Sequence, residues 1–250
     1  MKKIVRFLNK SLKQFVIHLI FKEDLKMLDL KDLARISNSI NGEYPNVPKF
    51  LLMPRPGEAI DFGPLKWEKT EDEEGVSKIN SLQLGRNFII FNFESYKKWD
   101  IELAKILKVI ENINKKFNLP LVIEARLHYI DEFLIPSDGF SFIKFFNIGF
   151  KEELKISKED FVIGLIPYEK EKEGIKSKVV LRLKALGKQN ENYKFSLESI
   201  FLFRNLSTKV NNLEPYLDEG HEKIEHYFVD FLTKNFREDR GLVYFDSEQN

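Results

Sequence analysis

Residues 161–204 read FVIGLIPYEKEKEGIKSKVVLRLKALGKQNENYKFSLESIFLFR. Three stretches within them, Phe161–Tyr168, Lys176–Leu186 and Tyr193–Arg204, are rich in β-branched, leucine and aromatic residues and read as strands. The links between them, Glu169–Ile175 and Gly187–Asn192, are short, charged and contain Gly. A parallel pair needs a crossover of a dozen or more residues, so these three strands are expected to run as antiparallel neighbours.

Upstream, Leu121–Ile135 is a long strand candidate closed by Pro136–Gly139, and the aromatic segment Phe140–Phe150 that follows has no clear period. Lys98–Asn118 is the clearest helix: Ile101, Ala104, Leu107, Ile110, Ile113 and Phe117 recur every three or four residues without Gly or Pro, and Leu119-Pro120 ends it. Before it come strands near Lys78–Leu84 and Asn87–Glu94, joined at Gly85-Arg86. Glu71-Asp72-Glu73-Glu74-Gly75 reads as a solvated turn. Pro45, Pro48, Pro54, Pro56 and Pro64 restrict any strands near Lys49–Met53 and Ala59–Lys69 to short or edge positions. Phe15–Phe21 (FVIHLIF) reads as a buried strand, and the residues before it as a short amphipathic helix leading into that strand. Asp29 is placed to cap a helix carrying Leu30, Leu33, Ala34, Ile36 and Ile40, which stops at Asn41-Gly42. A last helix is expected from about Leu213 to Glu238, with Leu217, Ile224, Phe228, Phe231 and Leu232 on one face, followed by Gly241 and a short tail.

The class is α+β, an antiparallel sheet packed by two long helices. The order strand, helix, strands, long helix occurs twice, which suggests a duplicated unit and divides the chain into α+β halves at 1–118 and 119–250, within one continuous domain or two. No clear sequence identity joins the halves.

The 250 residues include 40 Lys+Arg against 39 Asp+Glu and no Cys. No thiol nucleophile, disulfide or thiolate-bound metal is available. A net charge of +1 removes the simplest argument for nucleic acid, which needs a concentrated cationic excess. No apolar run approaches the roughly 20 residues of a spanning helix, and the N-terminal stretch lacks a signal-peptide core, so a cytoplasmic location is expected.

His221-Glu222-Lys223-Ile224-Glu225-His226 is one residue too long for the HExxH zinc motif: side chains five apart on a helix point in different directions. His221 is expected instead as a half-buried, hydrogen-bonded residue fixing the helix to the sheet, and His128 as a structural polar residue in a strand. No metal site, cofactor or catalytic set is expected, since GxGxxG, GxxxxGK[ST] and GxSxG are all missing. Lys176, Lys178, Arg182, Lys184 and Lys188 recur along one strand and offer the best anion contact, with Lys178, Arg182 and Lys184 at its centre; salt bridging to Glu191 and Glu198 is the ordinary alternative. Adjacent acids such as Asp131-Glu132, Glu152-Glu153 and Glu159-Asp160 read as solvated surface.

Three segments resemble one family. Ser95-Tyr96-Lys97-Lys98-Trp99 is similar to its Pro-Tyr-x-x-Trp helix entry. Leu127-His128-Tyr129-Ile130-Asp131-Glu132-Phe133-Leu134-Ile135-Pro136, with Phe145-Phe146-Asn147, is similar to its Leu-Arg-Tyr-Ile-Asn-Arg-Ile-x-Ile-Pro strand and Tyr-Phe-Asn segment. His221-Glu222-Lys223-Ile224 with Phe228 resembles its C-terminal His-Glu-x-Ile-x-x-x-Phe helix, and Glu43-Tyr44-Pro45 its Phe-Pro turn. The family is the sporadically distributed prokaryotic group of proteins of unknown function, about 250 residues long. His128, Asp131 and Glu132 depart from its Arg, Asn and Arg. The patchy distribution implies a role beside mobile elements or antiviral defence.

Two functions follow as expectations. The first is a non-enzymatic binding or regulatory module that engages another protein, or a second copy of itself, through a sheet face or a groove between its halves. Phe145, Phe146 and Tyr129 are its candidate contacts, with core packing as their other use. The second is an RNA- or DNA-binding protein, or a metal-independent nuclease, using the strand around Arg182 with His128 as general acid or base.

Overall fold

The computed structural model describes residues 3–7, 12–25, 30–50, 64–73, 75–96, 98–138, 141–147, 162–239 and 242–245. Asp29, residues 51–63, Phe140, Phe150 and the acid pairs at 152–153 and 159–160 lie outside them. In chain order the elements are β1 (Lys3–Phe7), β2 (Leu12–Phe21), α1 (Leu30–Ile40), β3 (Lys49–Phe50), β4 (Leu65–Glu73), β5 (Val76–Leu84), β6 (Phe88–Phe93) and α2 (Trp99–Phe117). Then come β7 (Val122–Pro136), α3 (Phe142–Phe145), β8 (Val162–Lys172), β9 (Ile175–Gln189), β10 (Asn192–Thr208), α4 (Glu214–Phe231), α5 (Lys234–Asp239) and β11 (Leu242–Phe245). The chain is α+β, with β8, β9 and β10 an antiparallel meander as their short links require.

One antiparallel sheet holds nine strands in the order β3-β4-β5-β6-β2-β7-β10-β9-β8, and β1 pairs separately with β11. About the β2–β7 seam the run β2-β6-β5-β4 is mirrored by β7-β10-β9-β8, and β3 is an extra strand beyond β4. In each half the first strand of this sheet lies at the seam, the last strand of a three-stranded meander pairs beside it, and a long helix follows. One constant numbering offset relates the halves. It takes Phe15, Ile17 and His18 to Ala125, Leu127 and His128, and their β6 partners Phe93, Phe91 and Ile90 to the β10 partners Phe203, Phe201 and Ile200. Ile17 pairs with Leu127 across the seam, and the flanking pairs Val16–His128 and His18–Arg126 are images of each other. A pseudo-two-fold axis therefore passes through the Ile17–Leu127 pair. The duplicated order of elements is thus a property of the fold, and both halves share one sheet.

Alternation divides the two faces. On one, Phe15, Ile17 and Leu19 of β2, Phe91 and Phe93 of β6, Leu127 and Phe133 of β7, and Phe195 and Phe201 of β10 are buried. Every described helix packs on this face. Ser37 of α1 accepts from Trp67 Nε1 at 3.0 Å, Trp99 of α2 meets Phe15, and Gly220 of α4 brings the helix backbone down onto Phe201 and Leu127. A Cβ there would sit 3.0 Å from Phe201, so the close approach is what the glycine permits.

Four expectations are corrected. Residues 3–7 form a strand and not a helix, because β11 supplies a partner from the other terminus. The acidic 71–75 stretch is no simple turn: Glu71 and Asp72 continue β4 in a hairpin with β5. The buried face of α2 runs through Trp99, Glu102, Leu103, Ile106, Val109, Ile110 and Ile113, so Ile101 and Ala104 face outward; the helix is apolar on more than one side and tertiary contact chose the stripe. The last helix is broken at Leu232, which forms a bridge to Phe146. There Asn147 N–H donates to Phe231 O (2.6 Å) and its side chain to the carbonyls of Asp230 and Leu232, satisfying acceptors that a helix end leaves open.

Candidate functional site

Two polar groupings stand out, one on each face of the sheet. On the helical face, side chains from the entry to α2, from β7 and from α4 meet beside the seam. Tyr129 projects from β7, Tyr96 and Trp99 from the entry to α2, and His221 from α4. The Tyr129 hydroxyl lies 2.8 Å from His221 Nδ1, and His221 Nε2 lies 3.2 Å from Glu225 Oε1. With the ring proton on Nε2 facing Glu225, Nδ1 accepts from the tyrosine. Tyr96 shares a hydrogen bond with the same Tyr129 hydroxyl. Trp99 stacks on His221 at 4.4 Å and 16° while its Nε1 donates to Asp218 at 2.6 Å. Burial pushes the hydroxyls of Tyr129 and Tyr96 well above the ordinary tyrosine range, so both stay protonated donors. His221 is 9% and Tyr129 7% exposed. The network is thus a polar joint inside the core that ties α2 and α4 to the sheet, with His221 buried rather than half-buried.

The opposite face carries no described helix. Across its centre run Val16, His18 and Ile20 of β2, Ile90 of β6, Arg126, His128 and Ile130 of β7, Glu198 and Ile200 of β10, and Val180, Arg182 and Lys184 of β9. Most are half-buried by their neighbours. Glu198 is the hub: Lys184 Nζ donates to its Oε1, Arg182 reaches its Oε2 at 3.9 Å, and His128 Nε2 lies 3.6 Å away. Glu124 plays the same part for Arg126 at 3.1 Å and Arg204 at 3.4 Å, and Glu132 for Lys194 at 3.0 Å. Burial lowers the pKa of His128, and Arg126, Arg182 and Lys184 lower it further against the opposing pull of Glu198. His18 is lowered by burial and by Arg126. Both rings are therefore neutral near pH 7, and the His128–Glu198 approach is a neutral contact and not an ion pair. His128 Nε2 and Arg126 Nε are buried without a hydrogen-bond partner.

The expected site residues divide between the two faces. Lys178, Arg182 and Lys184 do lie together on β9, on the helix-free face, with Lys184 and Arg182 engaged by Glu198 as the salt-bridged alternative foresaw. Phe145, Phe146 and Tyr129 do not form an exposed contact surface. Phe146 is 1% exposed and packs on Phe195, Phe231 and Phe236, while Phe145 meets Phe236 edge to face at 5.3 Å. Those rings are occupied in holding α3 and α5 to the sheet. The roles of Glu198 and Glu124 have no local sequence signal, because strand register brings their partners to them. The equivalence of His18 and His128 does have one: Ile17-His18-Leu19-Ile20 and Leu127-His128-Tyr129-Ile130 share a pattern.

A narrow crevice between α1, α2 and β4–β6 is lined by Glu43, Tyr44, Lys69, Glu71, Glu102 and Lys105 among others. Its lysines pair internally, Lys105 with Glu102 at 3.1 Å and Lys69 with Glu71 at 2.9 Å. Among the described residues no group of three His, Asp or Glu side chains is placed to hold a metal ion, and no helix is long and apolar enough to cross a membrane. No protein-family model matches the chain, and neither a curated protein nor a solved structure matches it.

Proposed function

We propose that the chain is a non-enzymatic binding module that holds a protein partner on the helix-free face of its sheet. The observation that carries this reading is the composition of that face. Partly exposed Val16, Ile20, Ile90, Ile130, Val180 and Ile200 run between cations most of which have carboxylates beside them. An apolar centre with paired charges around it suits a protein surface. A polyanion would have to compete with Glu198, Glu124 and Glu132 for Arg126, Arg182, Lys184, Lys194 and Arg204, which argues against nucleic acid. Phe88 is the one Phe, Tyr or Trp side chain on this face among the described residues of β2, β4 to β7, β9 and β10, a poor platform for stacked bases. The buried Tyr129–His221 pair has a structural task and needs no substrate. The resemblance to the sporadic prokaryotic family adds a setting, beside mobile elements or antiviral defence.

The test is lysine cross-linking of the complex purified from its host. Cross-links from Lys178, Lys184 and Lys194 support the reading; cross-links confined to Lys108 and Lys115 on α2 refute it. Because Lys178, Arg182 and Lys184 share a face, nucleic acid is the second reading. A bound oligonucleotide released steeply by salt would replace the first reading with the second.

A further inference from the structure

The sheet ends differently on its two sides. At one margin stands the two-residue β3; at the other stands β8, eleven residues long, paired only with β9 among the described residues. Long edges are usually protected by charge, proline or a bulge. In β8 those devices all lie downstream: Pro167, the irregularity between Leu165 and Tyr168, and Glu169-Lys170-Glu171-Lys172. The upstream part, Val162-Ile163-Gly164-Leu165-Ile166, has no charge or proline and meets the irregularity only at its last residue, and Val162 and Ile166 are 63% and 57% exposed.

This unprotected segment is palindromic in kind. Read from either end it runs large β-branched, large aliphatic, glycine, large aliphatic, large β-branched. We propose that β8 pairs antiparallel with β8 of a second copy of this chain, centred on Gly164. A two-fold interface requires that if one residue faces another, the reverse also holds, and this segment meets that condition at every position. Val162 lies opposite Ile166 of the second copy on the helix-free face, Ile163 lies opposite Leu165 on the helical face, and Gly164 meets Gly164 on the axis. Pro167, which has no N–H, ends the ladder. An unrelated partner strand would place no such demand on the order of residues. The pairing joins two sheets into one with all helices on the same side. It is independent of the partner proposed for the sheet face, because it uses the edge. Five residues bury far less than the roughly 1,200 Å² of a durable interface, so the dimer is weak and concentration-dependent.

Sedimentation equilibrium of the full chain, from micromolar to millimolar, is expected to show a reversible monomer–dimer equilibrium. Val162→Lys with Ile166→Lys sets like charges opposite each other and weakens dimerisation by about tenfold or more. Val162→Glu with Ile166→Lys sets opposite charges there and returns it to near the wild-type value. Both side chains are exposed, so thermal melts of the two variants should match that of the parent. A second readout uses the lack of native cysteine: Gly164→Cys places two thiols at cross-strand distance on the axis and should oxidise to a disulfide-linked dimer, whereas Val76→Cys should not. A wild-type chain that stays monomeric throughout, a double-lysine variant that dimerises undiminished, or a Gly164→Cys chain that links no faster than Val76→Cys would each overturn the proposal.

Discussion

Tyr129→Phe removes one oxygen from the joint between sheet and helices. That oxygen lies 2.8 Å from His221 Nδ1 and also meets Tyr96. Losing the bond costs about 1 kcal/mol net, and leaving the imidazole nitrogen buried without a partner adds about 1–2 kcal/mol. The expected loss is therefore about 2–3 kcal/mol, or a fall in Tm of about 4–12 °C for a chain of this size. His221→Leu leaves the tyrosine hydroxyl short of an acceptor and removes the ring stacked on Trp99, so it should cost at least as much. The double variant should cost about 1 kcal/mol or more less than the sum, because removing both partners leaves nothing unpaired between them. Urea titration of all four proteins, followed by circular dichroism and tryptophan emission, gives the cycle. A Tyr129→Phe protein within about 0.5 kcal/mol of the parent, or strictly additive single variants, would refute the account of this network.

Three other outcomes are expected. Because burial lowers His18 and His128 below the ordinary histidine value, the unfolded chain takes up protons first as pH falls below about 6.5, and stability should drop from there until the folded rings titrate; urea midpoints at pH 7.5 and 5.5 should differ less in His18→Gln/His128→Gln than in the parent. A Cβ at Gly85 would run into the Phe88 ring, so Gly85→Ala should cost about 1–3 kcal/mol by urea unfolding, and much less when combined with Phe88→Ala. Glu198→Gln should lower stability by less than about 1 kcal/mol, since Lys184 and Arg182 are substantially exposed, yet bind more tightly to a heparin column as their cations are released; unchanged retention would count against Glu198 as the neutralising hub.

Local order was readable wherever the pattern is local. The short apolar run of β2, the short links of the β8–β10 meander and the uninterrupted length of α2 all announce themselves. The stripe that α2 buries does not, because Glu102 sits within it and Ile101 outside it, and only the packed partner separates the two. The break at Leu232 did have a signal in Thr233, whose Oγ1 accepts from Phe236 N–H at 3.3 Å as an N-cap does. The pairing of residues 3–7 with 242–245 joins opposite ends of the chain and leaves no trace in either segment. The family-like motifs were legible as residues but not as a unit: Tyr96, Trp99, Tyr129 and His221 become one network only when the seam and two helices converge. Phe146 was misplaced for the opposite reason, since an aromatic cluster reads alike whether it faces a partner or fills a core.

The seam between β2 and β7 also has a bearing on biosynthesis. When residues 1–118 have left the ribosome, β2 can pair with β6 but its other edge still waits for a strand that has yet to be translated. Phe15, Ile17 and Leu19 then lie beside an open margin, and two nascent chains on one message would find in each other a substitute for β7, related by the same axis that β7 later obeys. Production of the first half alone should therefore yield self-associated material, and slow translation through residues 119–136 should lower the yield of the whole.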